Sequence, residues 1–247
     1  MRKWHIASCS FGKDSLAMVL GLIEKGLPLD EVVFYDTGAE FNAIYKERDK
    51  LLPVLQANGI KYTELKPERA FFYDMLEKPV YSKKNGQHCG YGWCGGTTRW
   101  GTTEKTKALA KYSDGIVADG LEVTHYVGIA ADEKKRIAGN IDRGKTLPLV
   151  DWGWTEARCL EYCYSKGAIW DENGVRLYDV LDRVSCWCCS NKNKKELQNL
   201  YEFLPEYWGR LKELQSKIQK PMKRWENKKY GNYGNVYDME RVFSEER

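Results

Sequence analysis

Residues 4–15 constrain this chain more than any other stretch. Residues 4–7 (Trp-His-Ile-Ala) read as a short buried strand, and residues 8–13 are small and polar. From Asp14 onward Leu16, Val19, Leu20, Leu22 and Ile23 recur at helical spacing until Gly26 and Pro28 stop them. A strand running through small residues directly into a helix leaves free backbone N–H groups and the positive end of the helix dipole pointing at one spot. That spot suits an anion. Ser10 and Ser15 add hydroxyls, Lys13 adds a positive charge, and Asp14 can cap the helix or help hold a metal. The Walker pattern GxxxxGK[ST] is absent, so this is a different kind of phosphate loop.

The pattern continues beyond the loop. Residues 32–35 form a second apolar run, followed by the turn Asp36-Thr37-Gly38. A helical pattern covers 41–57, with Pro53 as an expected kink and Asn58-Gly59 as its end, and 60–65 alternate like a strand. Strands alternating with helices predict right-handed crossovers and a parallel sheet. Residues 78–103 hold six glycines and read as a long functional loop. Further on, the spacing predicts helices over 103–111, 155–166 (capped by Thr155) and 194–218, and strands over 115–118 and 126–130. The length of 247 residues fits one full α/β domain, residues 1–175, with a cysteine-bearing helical extension and tail, 176–247.

The hydrophobic share of 43% and charged share of 30% describe a folded chain, and a net charge of +4 permits nucleic acid as a partner without demanding it. There is no apolar h-region near the N-terminus and no apolar run approaching the ~18 residues of a membrane span. The expected location is therefore cytoplasmic, with no membrane association, and there stable disulfides are rare. The eight cysteines need another account. Cys186-Trp187-Cys188-Cys189 contains a C-x-x-C, and Cys89 and Cys94 form a looser pair. Two thiol pairs far apart in sequence can close a tetrahedral site for zinc or an iron–sulfur cluster. Cys94, Cys186 and Cys189 lead as ligands, with Cys188 and Cys89 competing for a fourth place. Cys159 and Cys163, at i and i+4, read as helix core, and Cys9 as a small loop residue.

Five segments in order carry a family resemblance. Ser10-Phe11-Gly12-Lys13-Asp14-Ser15 resembles the PP-loop of the adenine-nucleotide α-hydrolases and, more narrowly, that of the phosphoadenosine-phosphosulfate (PAPS) reductase family. Asp36-Thr37-Gly38-Ala39-Glu40-Phe41 is similar to its DTG-x-E-F turn. Trp93-Cys94 with Arg99 is similar to its W-C-x-x-x-x-R region. Gly128-Ile129-Ala130-Ala131-Asp132-Glu133 with Arg136 resembles G-x-R-x-D-E-S-x-x-R, with Ala130 in place of the arginine, and Pro148-Leu149 with Trp152 resembles P-L-x-x-W.

The resemblance implies a Rossmann-like parallel sheet of about five strands flanked by helices, with an adenine nucleotide (ATP or PAPS) at the strand C-termini. It implies Ser8, Ser10, Gly12, Lys13, Asp14 and Ser15 at the phosphates, Asp36 and Gly38 beside the adenosine, Arg99 and Arg136 facing the anionic end, and Phe11, Thr37, Gly128 and Asp132 as further nucleotide-binding residues. Lys13, Asp14 and Arg99 are the implied catalytic residues. It also favours a [4Fe-4S] cluster over zinc on Cys94, Cys186, Cys188 and Cys189. Reductases of this family carry a nucleophilic cysteine in a C-terminal E-C-G-L-H motif, whereas residues 190–247 contain neither cysteine nor histidine. Lys13-Asp14-Ser15 resembles the ATP-using members, which split the α–β bond with Mg2+ and adenylate a substrate. The expected function is therefore ATP-dependent adenylation or sulfur transfer, with a sulfur donor or thioredoxin-like reductant as partner. The alternatives are a PAPS or APS reductase releasing sulfite, and a non-catalytic nucleotide- or nucleic-acid-binding module with a structural metal. Lys220, Lys223, Arg224, Lys228 and Lys229, interleaved with Trp225, Tyr230, Tyr233 and Tyr237, could bind single-stranded nucleic acid or form an ordinary solvated tail.

Overall fold

A computed structural model describes residues 2–83, 86–96, 98–141 and 144–246. In chain order its elements are β1 (Lys3–Ser8), α1 (Lys13–Glu24), β2 (Glu31–Tyr35), α2 (Asn42–Ala57), β3 (Lys61–Leu65), α3 (Phe71–Leu76), β4 (Pro79–Ser82) and β5 (Gly86–Cys89). There follow α4 (Trp100–Ala118), β6 (Glu122–Val127), α5 (Lys134–Ile141), α6 (Pro148–Asp151), α7 (Glu156–Ser165), β7 (Asp171–Glu172), β8 (Val175–Arg176) and α8 (Leu177–Val180). The chain closes with α9 (Lys194–Phe203), α10 (Pro205–Lys217), β9 (Trp225–Asn227), β10 (Gly231–Tyr233) and α11 (Val236–Glu245). Two compact units emerge. The first comprises residues 1–36, 42–67 and 105–170, the second 37–41, 68–104 and 171–247.

The first unit is built on a parallel sheet in the order β3-β2-β1-β6, four strands among the described residues. The expected five strands become four for two reasons. Residues 115–118 continue α4 instead of forming a strand, and Val117 is 54% exposed, so the short apolar run has no sheet face to bury. Thr146 adds only an isolated parallel bridge to Tyr126 beyond β6. β2 is buried at every position, as a central parallel strand should be. Leu16, Val19 and Leu22 of α1 are buried, each contributing about 1.5–3 kcal/mol. α2 runs on through Pro53 as one helix. Thr155 caps α7 by accepting from Arg158 N at 3.2 Å. Cys159 and Cys163 are fully buried on α7, as core residues.

The second unit gathers small elements around aromatic side chains. Phe41 packs edge-on to Tyr207 at 4.7 Å, Trp187 lies 6.1 Å from Tyr207, and Phe71 lies 4.7 Å from Trp100. The glycine-rich 78–103 stretch is ordered by the β4–β5 hairpin and by close backbone approaches. Gly90, at φ +69°, has its Cβ position 2.2 Å from Met75 O, so no side chain fits there. The 194–218 stretch divides into α9 and α10 at Leu204-Pro205, and α9 opens with a full capping box between Asn193 and Glu196. The basic tail is folded: Val236, Met239, Val242 and Phe243 of α11 are buried, and Phe243 meets Trp208 at 5.8 Å.

Candidate functional site

In the first unit β1 ends at Ser8 and α1 begins at Lys13, with Gly12 as its N-cap, so the intervening turn exposes the backbone N–H groups of the helix start. The turn is held from within. Ser15 Oγ donates to Gly12 O at 3.1 Å and accepts from Ser10 N at 3.1 Å, while the Ser10 and Ser15 hydroxyls lie 3.2 Å apart. The side chain of Phe11, a nucleotide-binding candidate by resemblance, points into the core. It is fully buried, edge-on to Phe34 at 5.0 Å. Phe11 adopts φ +56°, a conformation rare for a bulky residue, and Trp170 Nε1 donates to its carbonyl at 2.7 Å. Phe11 thus braces the loop from beneath. Gly128, following β6, is equally tight: a Cβ there would sit 2.7 Å from Ser15 Cα.

The charges of the site converge on Lys13. Its side chain is 7% exposed and its ammonium donates to Glu156 Oε2 at 2.7 Å and to Asp14 Oδ2 at 3.4 Å. Burial pushes the Asp14 carboxyl up to about 6, Glu156 and Glu133 push the same way, and Lys13 opposes them. Asp14 Oδ1 is buried with no hydrogen-bond partner among the described residues. An orphaned carboxylate oxygen beside a phosphate-type loop fits a divalent cation carried with a nucleotide. Asp132 belongs to the same corner, accepting from Glu156 N at 3.1 Å at the start of α7. Arg136 is half-exposed and pairs with Glu133, three residues before it, at 2.6 Å. Asp36 closes β2 and accepts from Tyr45 Oη at 2.7 Å. Cys9 is buried and its thiol is pushed up to about 11 by that burial, which removes it as a nucleophile. Glu156 was not legible as a site residue, since a glutamate in the first turn of a helix is an ordinary dipole partner.

In the second unit Thr37 Oγ1 donates to Glu40 Oε1 at 3.0 Å and accepts from Ala39 N at 3.1 Å, and Gly38 turns at φ +73°. Arg99 is exposed at its contact with Gly96 O, 3.3 Å away. The unit also brings Cys94 to the later cysteines: Ser190 donates to Cys94 O through N at 3.1 Å and through Oγ at 3.0 Å. Gly95 is required here, since a Cβ would lie 2.3 Å from Ser190 Oγ. The hydrogen bond between Cys186 and Cys188 holds the Cys186 thiol well above the usual range, its bond with Cys189 works against this, and burial adds to the rise. Cys189 is raised first by its bond with Cys186 and then by burial, and burial raises Cys94. Cys188 is 1% exposed, and Cys89 is exposed on the β4–β5 hairpin. These soft donors suit zinc or an iron–sulfur cluster in type. In spacing the set is not closed: among the described residues no three His, Cys, Asp or Glu side chains form a ligating group.

Residues 5–192 match the phosphoadenosine phosphosulfate reductase domain. The chain belongs to the phosphoadenosine phosphosulfate reductase family. An uncharacterized protein of Methanocaldococcus jannaschii is 26% identical over 249 residues, covering 93% of this family member and 47% of that protein. The chain thus spans about half the length of this curated relative. Among solved structures, the U34-tRNA thiolase NcsA from Methanococcus maripaludis, described with its [4Fe-4S] cluster, aligns at 15% identity and a TM-score of 0.43, covering 99% of this chain and 72% of that one. No helix among the described residues of this reductase-family chain is long and apolar enough to cross a membrane. Its basic tail turns part of its chemistry inward. Tyr233 is buried, Lys223 donates to Ser190 O at 2.6 Å, and Tyr237 Oη donates to Lys212 O at 3.1 Å.

Proposed function

We propose that this family member is an ATP-using enzyme of sulfur transfer, which binds Mg2+–ATP on Ser8, Ser10, Gly12, Lys13, Asp14 and Ser15 and splits the α–β bond to adenylate an acceptor. The observation that carries the reading is Lys13, a buried cation at a helix N-terminus held between Asp14 and Glu156. A lysine with two carboxylates at hand would leave a bare phosphate facing net negative charge, whereas a nucleotide that brings a divalent cation balances it. Lys13 and the free N–H groups of α1 would stabilise the leaving pyrophosphate as its charge develops. Asp14, through its orphaned oxygen, would hold the cation, whose chemistry is to bridge and neutralise phosphate oxygens. Asp36, Gly128 and Asp132 would border the nucleotide, with Thr37, Gly38, Arg99 and Arg136 as further contacts by family resemblance.

The thiols of Cys94, Cys186 and Cys189, with Cys188 beside them, would hold a [4Fe-4S] cluster or zinc. A bound cluster would supply a soft site for sulfur. The Ser190–Cys94 backbone link and the Cys186–Cys189 contact would position the thiols for such a group. A sulfur donor or thioredoxin-like reductant is the partner this chemistry calls for.

Incubation with ATP and Mg2+ tests the proposal. Release of AMP and pyrophosphate that Lys13→Ala abolishes supports it. Sulfite from PAPS with thioredoxin, and no pyrophosphate from ATP, would replace it with the reductase reading. Tight nucleotide binding without turnover of either would leave a binding module. Iron, sulfide and zinc analysis of the anaerobically purified chain reads the thiol site independently.

A further inference from the structure

Among the described residues, three that are not glycine adopt positive φ: Phe11, Trp170 and Asn173. Two of the three meet in one hydrogen bond. Trp170, at φ +45°, donates from Nε1 to the carbonyl of Phe11, at φ +56°, over 2.7 Å, and both residues are 0% exposed. Such a backbone is unfavourable for a bulky residue and persists only where its surroundings hold it.

Glu47 of α2 supplies the hold. It is 3% exposed, and its Oε1 accepts from Ile169 N at 3.2 Å, Trp170 N at 3.4 Å and Lys50 Nζ at 2.8 Å. Lys50 also donates to Gly167 O at 3.3 Å. One turn of α2 therefore grips residues 167–170 and seats the Trp170 ring beneath the loop. Filling the core asks only for a ring at this position, and phenylalanine would bring one with no polar atom to satisfy.

The indole N–H acts on the loop. A peptide unit is planar, and in the trans form its C=O and N–H point in opposite directions. The Phe11–Gly12 peptide is trans. Trp170 draws the Phe11 carbonyl toward the buried side, so the Gly12 N–H faces away from the core. Gly12 is partly exposed, and its N–H has no hydrogen-bond partner among the described residues. A left-handed residue followed by free N–H groups forms a concave donor site for an anion. Turning this one peptide over would present an oxygen to a phosphate in place of a donor.

We infer that Trp170 is a positioning residue of the phosphate loop: its indole N–H, seated by Glu47, holds the Phe11–Gly12 peptide with the Gly12 N–H turned toward the nucleotide's phosphates. The inference rests on the nucleotide reading above and assigns to that site two residues outside its contacts.

The test uses the full chain, titration calorimetry with Mg2+–ATP, and the 15N–1H resonance of the Gly12 amide. In the wild type this resonance should move when Mg2+–ATP is added. Trp170→Phe should bind Mg2+–ATP roughly 5–20-fold more weakly, the scale of one misaimed hydrogen bond to a charged group, and its Gly12 resonance should move little. Glu47→Leu should reproduce both changes. Glu47→Gln, whose amide oxygen can still accept from Ile169 N and Trp170 N, should restore both. Leu55→Ala, a cavity elsewhere on α2, should lower the melting temperature and leave the affinity and the Gly12 response as in the wild type. Wild-type affinity or a full Gly12 response in Trp170→Phe overturns the role of Trp170. So does an equal loss in Leu55→Ala, which would mark a general loosening of the core. If Trp170→Phe does not fold, the Glu47 pair decides, and equal behaviour of Glu47→Leu and Glu47→Gln overturns the inference. A wild-type chain in which Mg2+–ATP neither binds nor moves the Gly12 resonance overturns the nucleotide reading itself, an outcome distinct from the others.

Discussion

Lys13 Nζ and Glu156 Oε2 lie 2.7 Å apart although 143 residues separate them in sequence. The pair ties the first turn of α1 to the first turn of α7, two helices that also meet where Cys163 Sγ donates to Lys13 O at 3.3 Å. Lys13 is therefore engaged by Glu156, and an incoming anion would compete with that carboxylate. Glu156→Gln should tighten nucleotide binding in Mg2+-free buffer by a few-fold. Lys13→Ala should weaken it roughly 10–100-fold, the scale of one charge-assisted hydrogen bond. Titration calorimetry with ATP reads both, and weaker binding by Glu156→Gln would show the carboxylate to be part of the ligand cradle.

Asp14 gives the nucleotide-free protein a definite pH dependence. Its folded value, about 6, lies above its ordinary 3.8, so its protonated form favours the fold. That contribution is complete below about 4 and is lost as pH rises through about 6, by at most about 3 kcal/mol for a shift of this size. Asp14→Asn should raise the melting temperature at pH 7.5, leave it nearly unchanged at pH 4, and abolish Mg2+-dependent ATP binding. A wild-type and variant difference that stays constant from pH 4 to 8 would remove Asp14 as the titrating group.

Gly128 sits where a Cβ would press on the α1 backbone, 2.7 Å from Ser15 Cα and 2.9 Å from Ser15 N. Backbone cannot swing aside as a side chain can. Gly128→Ala should lower stability by about 1–3 kcal/mol in urea unfolding and impair ATP binding more than the stability loss alone explains, because the displaced atoms belong to the phosphate loop.

Phe243 is fully buried in the second unit between Tyr201 and Trp208, at 6.1 and 5.8 Å. Phe243→Ala should destabilise that unit by about 3–5 kcal/mol. The expected readout is an earlier melting transition in Phe243→Ala than in the wild type.

Local signals carried much of the fold. Strands over 4–7, 32–35 and 60–65 and helices after Asp14 and Thr155 were legible because hydrophobic period, caps and glycine stops act within a few residues. Residues 115–118 failed for the same reason. A short apolar run has no period of its own, and only the absence of a covering layer over Val117 shows it to be helix. The strand expected over 126–130 lies at Glu122–Val127, where pairing with β1 sets its limits.

The loop between β1 and α1 is legible in the chain alone, since its donors are contiguous and the helix start that aims them is encoded beside them. The sequence also determined that Cys159 and Cys163 share a helix face and that Cys186 and Cys189 stand at ligand spacing. It took the folded chain to show that Glu156 holds Lys13, that Trp170 and Phe34 anchor Phe11, that Ser190 draws Cys94 to the later thiols, and that the Lys192 ammonium is buried with no hydrogen-bond partner among the described residues. These relationships join residues remote in the chain, and burial and charge pairing depend on distance in space, which no local pattern records.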